Sequence, residues 1–160
     1  FTLYYSLGAS MSIRIAYFLG QNDKVEALLA GKAGRNLLLL NATLSSTLFY
    51  FAGNVIVHLF TQDEAVITAS LALLLPLVVY QFADALQICY ANALRATQHV
   101  LPMTWSSAVA YLVVGMPAAY LMGFTLKGGV EGIFYSFAIS LMVAAFLFAF
   151  FYHRFMKAKG

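Results

Sequence analysis

The chain has 160 residues, of which 62% are hydrophobic and only 9% charged, with a formal net charge of +3. A soluble domain carries roughly 25% charged residues to clothe its core in a solvated face, and this composition excludes one. Period-two alternation is also absent, which excludes barrel strands and leaves helices as the way to satisfy the backbone in lipid.

Crossing a bilayer takes about 20 residues of helix, and five apolar segments of that order follow one another. The first runs from about 2 to 20. The chain opens at Phe1 with no basic leader and no small-residue cleavage site, so its start reads as a cut through a longer protein and not as a signal peptide. Asp23 and Glu26 have capping-box spacing, which predicts a short cytoplasmic amphipathic linker over about 23–35, ending at Arg35. The second segment is about 37–60, and Asp63 and Glu64 then suit the positive N-terminus of the next helix. The third, about 66–94, contains Pro76, Asp84 and Gln87. Pro102 belongs in the first turn of the fourth, about 103–126, where Pro117 predicts a kink. Gly128, Gly129 and Gly132 make a tight connection to the fifth, about 130–152, followed by a polar tail from His153 to Gly160.

Charge placement gives an expected orientation. Lys24, Lys32, Arg35, Arg95, Arg154, Lys157 and Lys159 fall on one side, whereas Lys127 shares the other with Asp63, Glu64 and Glu131. The positive-inside rule puts the basic side, and with it the C-terminus, in the cytoplasm of a multi-pass cell (inner) membrane protein.

Asp84 is the residue with most to explain. It lies roughly 15 Å of helix rise before Arg95, near the bilayer middle. A carboxylate there costs about 2.5–3.5 kcal/mol on insertion scales unless it faces protein or water. Such a group can hold a proton, a sodium ion or a cationic ligand, or else serve as a neutral hydrogen-bonding acid between helices. Tyr80 and Gln87 lie one turn before and one turn after it on the same helix face. Tyr80 can offer its hydroxyl to Asp84 or its ring to a lipophilic cation. Gln81 and Asn92 are further candidate polar residues of a substrate cavity on this segment, at less certain angles to that face.

Arg14 is close enough to Gly20 to snorkel to the cytoplasmic surface, the alternative being an acid on a further helix. Cys89 stands alone inside an apolar run and is read as a buried structural thiol. His58 and His99 have no metal-ligand neighbours at helical spacing, so no metal is expected beyond a sodium ion at Asp84. No phosphate-cradling loop or nucleophile elbow is present, and neither an enzyme nor a nucleic-acid partner is expected.

Five stretches resemble the multidrug and toxic compound extrusion (MATE) family. They are Met11–Asp23 with its Ile13-Arg14-Ile15 and Leu19-Gly20, Leu59-Phe60-Thr61-Gln62-Asp63, Gln81-Phe82-Ala83-Asp84-Ala85-Leu86, Ala93-Leu94-Arg95-Ala96-Thr97-Gln98 and Gly129-Val130-Glu131-Gly132-Ile133. One departure is Thr97-Gln98, where the family often has Gly-Asp. The resemblance implies the eighth to twelfth helices of a twelve-helix antiporter, a partial C-terminal lobe whose partners are the earlier helices of the same protein, the lipid bilayer and small lipophilic cationic drugs. It implies NorM-type efflux with Asp84 as the coupling acid and Tyr80 its partner. The coupling ion would be Na⁺ or H⁺, with no other cofactor, and a seventh-helix Glu would lie before Phe1. Cut in this way, the chain by itself is expected not to transport. Two other readings stand beside this one. A flippase for a lipid-linked polysaccharide or peptidoglycan precursor would be expected to carry several intramembrane cations, where only Arg14 qualifies. In a non-transporting membrane scaffold Asp84 would be replaceable by Asn.

Overall fold

A computed structural model describes residues 1–158; Lys159 and Gly160, the end of the polar tail, lie outside the described residues. Helix α1 is Thr2–Gly20. The chain reverses through Asn22, at φ +59°, and Asp23 caps the next helix by accepting the Glu26 N–H at 3.0 Å. Helix α2 then runs unbroken from Lys24 to Phe60. The amphipathic stretch expected over 23–35 and the apolar segment expected from 37 are thus one helix, because no proline separates them and the backbone ladder continues. At 1.5 Å per residue it is about 55 Å long, well over the roughly 30 Å hydrocarbon thickness. Its charged first turns therefore stand beyond the hydrocarbon core.

Asp63 caps α3 (Glu64–Ala72) by accepting the N–H groups of Ala65 at 2.9 Å and Val66 at 3.4 Å. The segment expected as one helix over 66–94 is divided at Leu73, and α4 is Leu74–Ala96. Pro76 explains the position of the break. It has no N–H to give the Ala72 carbonyl and its ring would clash there, so the disruption falls in the preceding turn.

The fourth segment is α5 (Val100–Ala108), a wide π-type turn over Val109–Gly115, α6 (Met116–Tyr120) and a second wide turn over Leu121–Thr125. Met116 reaches back five residues to the Tyr111 carbonyl, and Leu126 five residues to that of Leu121. The kink expected at Pro117 takes the form of these widened turns, an insertion that relieves a helix around a proline. The return to α7 (Gly129–Ala158) is tight. A Cβ on Gly132 would collide with the Met122 carbonyl, so only glycine allows the two strands of the turn to meet.

Among the described residues, four helices are long and apolar enough to cross a membrane: Lys24–Phe60, Leu74–Ala96, Val100–Thr125 and Gly129–Lys157. Helix α1 has 19 residues but is diluted by Arg14 and three serines, Ser6, Ser10 and Ser12. The molecule is an all-α membrane protein organised around α4, which packs against α7, α2 and α1, while α7 also covers the widened segment. Small residues make this close packing feasible: Ala83, Ala85, Cys89, Ala91, Ala93 and Ala96 of α4 are all buried. Gly8 of α1 marks a close approach to α4, since a Cβ there would stand 2.7 Å from Asn92 Nδ2 and 2.9 Å from Ile88 Cγ2. Between apolar helices in lipid, association depends on such packing and on interhelical hydrogen bonds, not on a hydrophobic driving force. Phe148, Ile15, Leu38 and Leu94 fill the centre, and a large population of Leu, Phe, Tyr and Val remains exposed around the outside, as a lipid-facing surface requires.

Candidate coupling site on helix α4

Asp84 is half-buried on α4, with Tyr80 one turn before it and Gln87 one turn after. Two residues from other helices complete its surroundings. Tyr4 of α1 and Tyr111 of the first wide turn both lie within electrostatic range of the Asp84 carboxylate, as does Tyr80. Tyr111 also lies beside Gln87. The Tyr4 hydroxyl is buried beside Ser45, without a well-aligned hydrogen bond among the described residues. Three phenols from three chain segments thus lie within electrostatic range of one carboxylate. Phenol O–H groups donate to a carboxylate, and their oxygens accept from or coordinate a cation, so the cluster can serve the acid in either state of occupancy.

A groove of about 400 Å³ adjoins the cluster, lined by Tyr80, Tyr111, Met116, Phe137 and Leu141 among others. Ser140 and Gly115 lie in its floor, in contact: a Cβ on Gly115 would come within 2.7 Å of Ser140 Oγ. The volume is in the range of small-molecule sites, which are mostly apolar with a few placed polar groups. Tyr111, in the widened turn that follows Ala108, both lines this groove and lies within electrostatic range of Asp84.

The other candidates on α4 point elsewhere. Gln81 is buried and accepts the Ser46 hydroxyl of α2 at 3.3 Å. Asn92 is buried against α1; its amide donates to the Ile88 carbonyl at 2.9 Å and its oxygen accepts from Arg95 at 3.4 Å. Gln81 is thus engaged across the interface with α2, and Asn92 with its own helix. Arg14 is exposed and lines a separate groove of about 300 Å³ between α1 and α2, at which Glu26 also stands. His58 Nδ1 bonds the Asn54 carbonyl at 2.8 Å, and His99 stacks on Phe155 with ring centroids 3.8 Å apart. Cys89 is buried 3.9 Å from Met11 Sδ.

Spacing along one helix pointed to Tyr80, Asp84 and Gln87, whereas Tyr4 and Tyr111 carried no signal of that kind. Only the depth of a tyrosine within an apolar segment sets Tyr111 apart, and the segment holds Tyr120 as well.

The MatE family model matches residues 1–121, a span that includes Tyr4, Tyr80, Asp84 and Tyr111. The chain is 31% identical over 149 residues to the "Multidrug resistance protein NorM" of Vibrio vulnificus strain YJ016, covering 91% of this chain and 33% of that protein. It is 30% identical over 147 residues to the protein of the same name from Vibrio cholerae, covering 89% and 32%. With the "Probable multidrug resistance protein NorM" of Acinetobacter baylyi it shares 32% over 142 residues, again 89% and 32%. The chain spans about a third of the length of these relatives. With the family model matching three quarters of its length, the chain belongs to the MatE family.

Proposed function

We propose that this chain is the coupling portion of a multidrug-efflux antiporter, with Asp84 as the residue that exchanges Na⁺ or H⁺ against lipophilic cationic drugs. The observation that carries the reading is the half-buried carboxylate in the middle of a membrane-spanning helix, with Tyr4, Tyr80 and Tyr111 within electrostatic range beside an aromatic groove. Intramembrane acids are costly to insert and mark ion pathways by default. The names of the relatives, all multidrug resistance proteins, add support.

In this mechanism Asp84 takes up its ion from the outside while the phenol oxygens complete the ion's shell. Neutralising the carboxylate removes the attraction that holds a drug cation against the Tyr80 and Tyr111 rings, so the drug leaves. After reorientation the ion is released to the cytoplasm, and the charged site accepts the next cation. Linkage makes the effect reciprocal, with each ligand weakening the other by the same factor. The broken helix at Leu73 and the widened turns around Pro117 are the points where α3–α4 and α5–α6 can flex during the switch. The C-terminal end of α7 faces the cytoplasm, on the basic side.

The test is cationic-dye efflux from cells producing the whole protein, wild type beside Asp84→Asn, at varied Na⁺ and pH. Efflux by the wild type and none by an Asn variant that inserts normally supports the assignment. Equal efflux by both rejects it, and absence of any cation efflux by the wild type rejects the drug-antiport reading itself.

A further inference from the structure

We propose that the basic end of α7, together with the first turns of α2, binds the headgroup of an anionic phospholipid whose chains lie along α7. A groove of about 610 Å³ runs down the outside of α7, lined by Phe146, Ala149, Phe150, His153, Arg154 and Lys157. These positions recur at three- and four-residue spacing, so they form one stripe along the helix. The stripe is divided by chemistry. Its inner half is aromatic and open to lipid, with Phe146 70% and Phe150 52% exposed. Its outer half is cationic, with His153, Arg154 and Lys157 all exposed. From Phe146 to Lys157 the helix rises about 16 Å, close to half the hydrocarbon thickness of a bilayer. One lipid of one leaflet matches that span, with its phosphate among the cations and its chains on the phenyl rings.

Helix α2 adds to the charge. The long Tyr152 side chain of α7 reaches across to α2, where a Cβ on Gly31 would stand 3.0 Å from its hydroxyl, although the two helices are not themselves closely packed. This contact brings Lys32 and Arg35 to the same end, and the charges that act on His153 are Lys157, Arg35 and Lys32, all cationic. Glu26 does not offset them. It precedes Arg35 by nine residues, half a turn out of phase, and lines the groove on the α1 side instead. The opposite end of the bundle has no such excess, since Lys127 is accompanied there by Glu131, Glu64 and Asp63. Part of the basic content of α7 complements the negative end of its helix dipole, but that effect does not require the charges of α2 or the aromatic half of the stripe. Basic pockets between spanning helices at the membrane surface are suited to anionic headgroups, each cation near the surface being worth about a fivefold change in affinity. The site is independent of Asp84 and of drug coupling.

Native mass spectrometry of the whole protein, released from detergent with equal amounts of phosphatidylglycerol and phosphatidylcholine of the same chains, tests the proposal. The wild type is expected to retain phosphatidylglycerol in preference to phosphatidylcholine. A K32Q/R35Q/R154Q/K157Q variant is expected to lose the preference altogether, and R154Q/K157Q, a milder change that guards against misfolding, to lower it by about 25-fold. Lys127→Gln, at the other end, should leave it unchanged. Equal retention of the two lipids by the wild type overturns the proposal, as does an undiminished preference in monodisperse R154Q/K157Q protein. Displacement of the lipid by millimolar inorganic phosphate also overturns it, since that would place the affinity in a free-anion site with no part for the chains.

Discussion

Ser46 of α2 donates its hydroxyl proton to Gln81 Oε1 of α4 across 3.3 Å, in a buried position between the two helices. Polar contacts of this kind act as points of attachment between apolar helices that otherwise have only packing to hold them. Ser46→Ala leaves the Gln81 oxygen without that donor. The expected loss is about 1 kcal/mol in stability, read as a shift in unfolding of the purified protein by denaturing detergent. The double variant Ser46→Ala/Gln81→Leu, which removes both partners, should cost less than Ser46→Ala because no orphaned polar group remains from this pair.

Gly132 and Gly8 are both helical glycines, where alanine would ordinarily gain up to about 1 kcal/mol of helix propensity. Their neighbours reverse that expectation to different extents. At Gly132 the obstacle is the backbone carbonyl of Met122, which cannot rotate away; at Gly8 it is the side chains of Asn92 and Ile88. Gly132→Ala is expected to destabilise by about 1–3 kcal/mol, the range for overpacking, and Gly8→Ala by less, because Asn92 can turn. Thermal unfolding of the two variants side by side checks the order.

Tyr111 comes from a different helix than Asp84 and Tyr80, and it also lines the aromatic groove. Under the proposed mechanism its hydroxyl and its ring have separable parts. Tyr111→Phe keeps the ring and should leave dye binding within about twofold while lowering ion-driven efflux severalfold, about 1 kcal/mol of lost interaction with the ion. Tyr111→Leu should weaken dye binding as well, by about 0.5–2 kcal/mol for the lost cation–π contact. Dye affinity and efflux rate measured on both variants distinguish the two contributions.

How far the molecule was legible in its sequence follows from what each feature depends on. Segment length and apolarity depend on the chain alone, so the helical membrane class could be read directly, as could the caps at Asp23 and Asp63, which involve residues three apart or fewer. The division at Leu73 was not placed, although Pro76 was noted, because a proline acts on the turn before it and the site of rupture depends on which neighbours hold that turn. The continuity of α2 was missed for a different reason. Lys24, Glu26, Lys32 and Arg35 give its first turns a surface character that reads as a separate element, whereas the backbone ladder is indifferent to polarity. Around Asp84, spacing along α4 related Tyr80 and Gln87 to it, but Tyr4 and Tyr111 depend on the register between helices. That register is set by close contacts such as Gly8 against Asn92 and by the extra residues in the widened turn after Ala108, neither of which has a periodic signature.

The central claim is that a drug cation and the coupling ion compete through Asp84, and a binding measurement tests it without the rest of the transport cycle. Fluorescence anisotropy gives the affinity of the purified whole protein for a cationic dye, in wild type and in Asp84→Asn, as Na⁺ or proton concentration is raised. The wild type is expected to lose dye affinity by about 5–150-fold over the effective range of one of these ions, as a coupling energy of this kind requires. The Asn variant is expected to be insensitive to the same change. An equal loss of affinity in the two proteins, or none in the wild type, would contradict the account, because the competition would then lie at another residue or not exist.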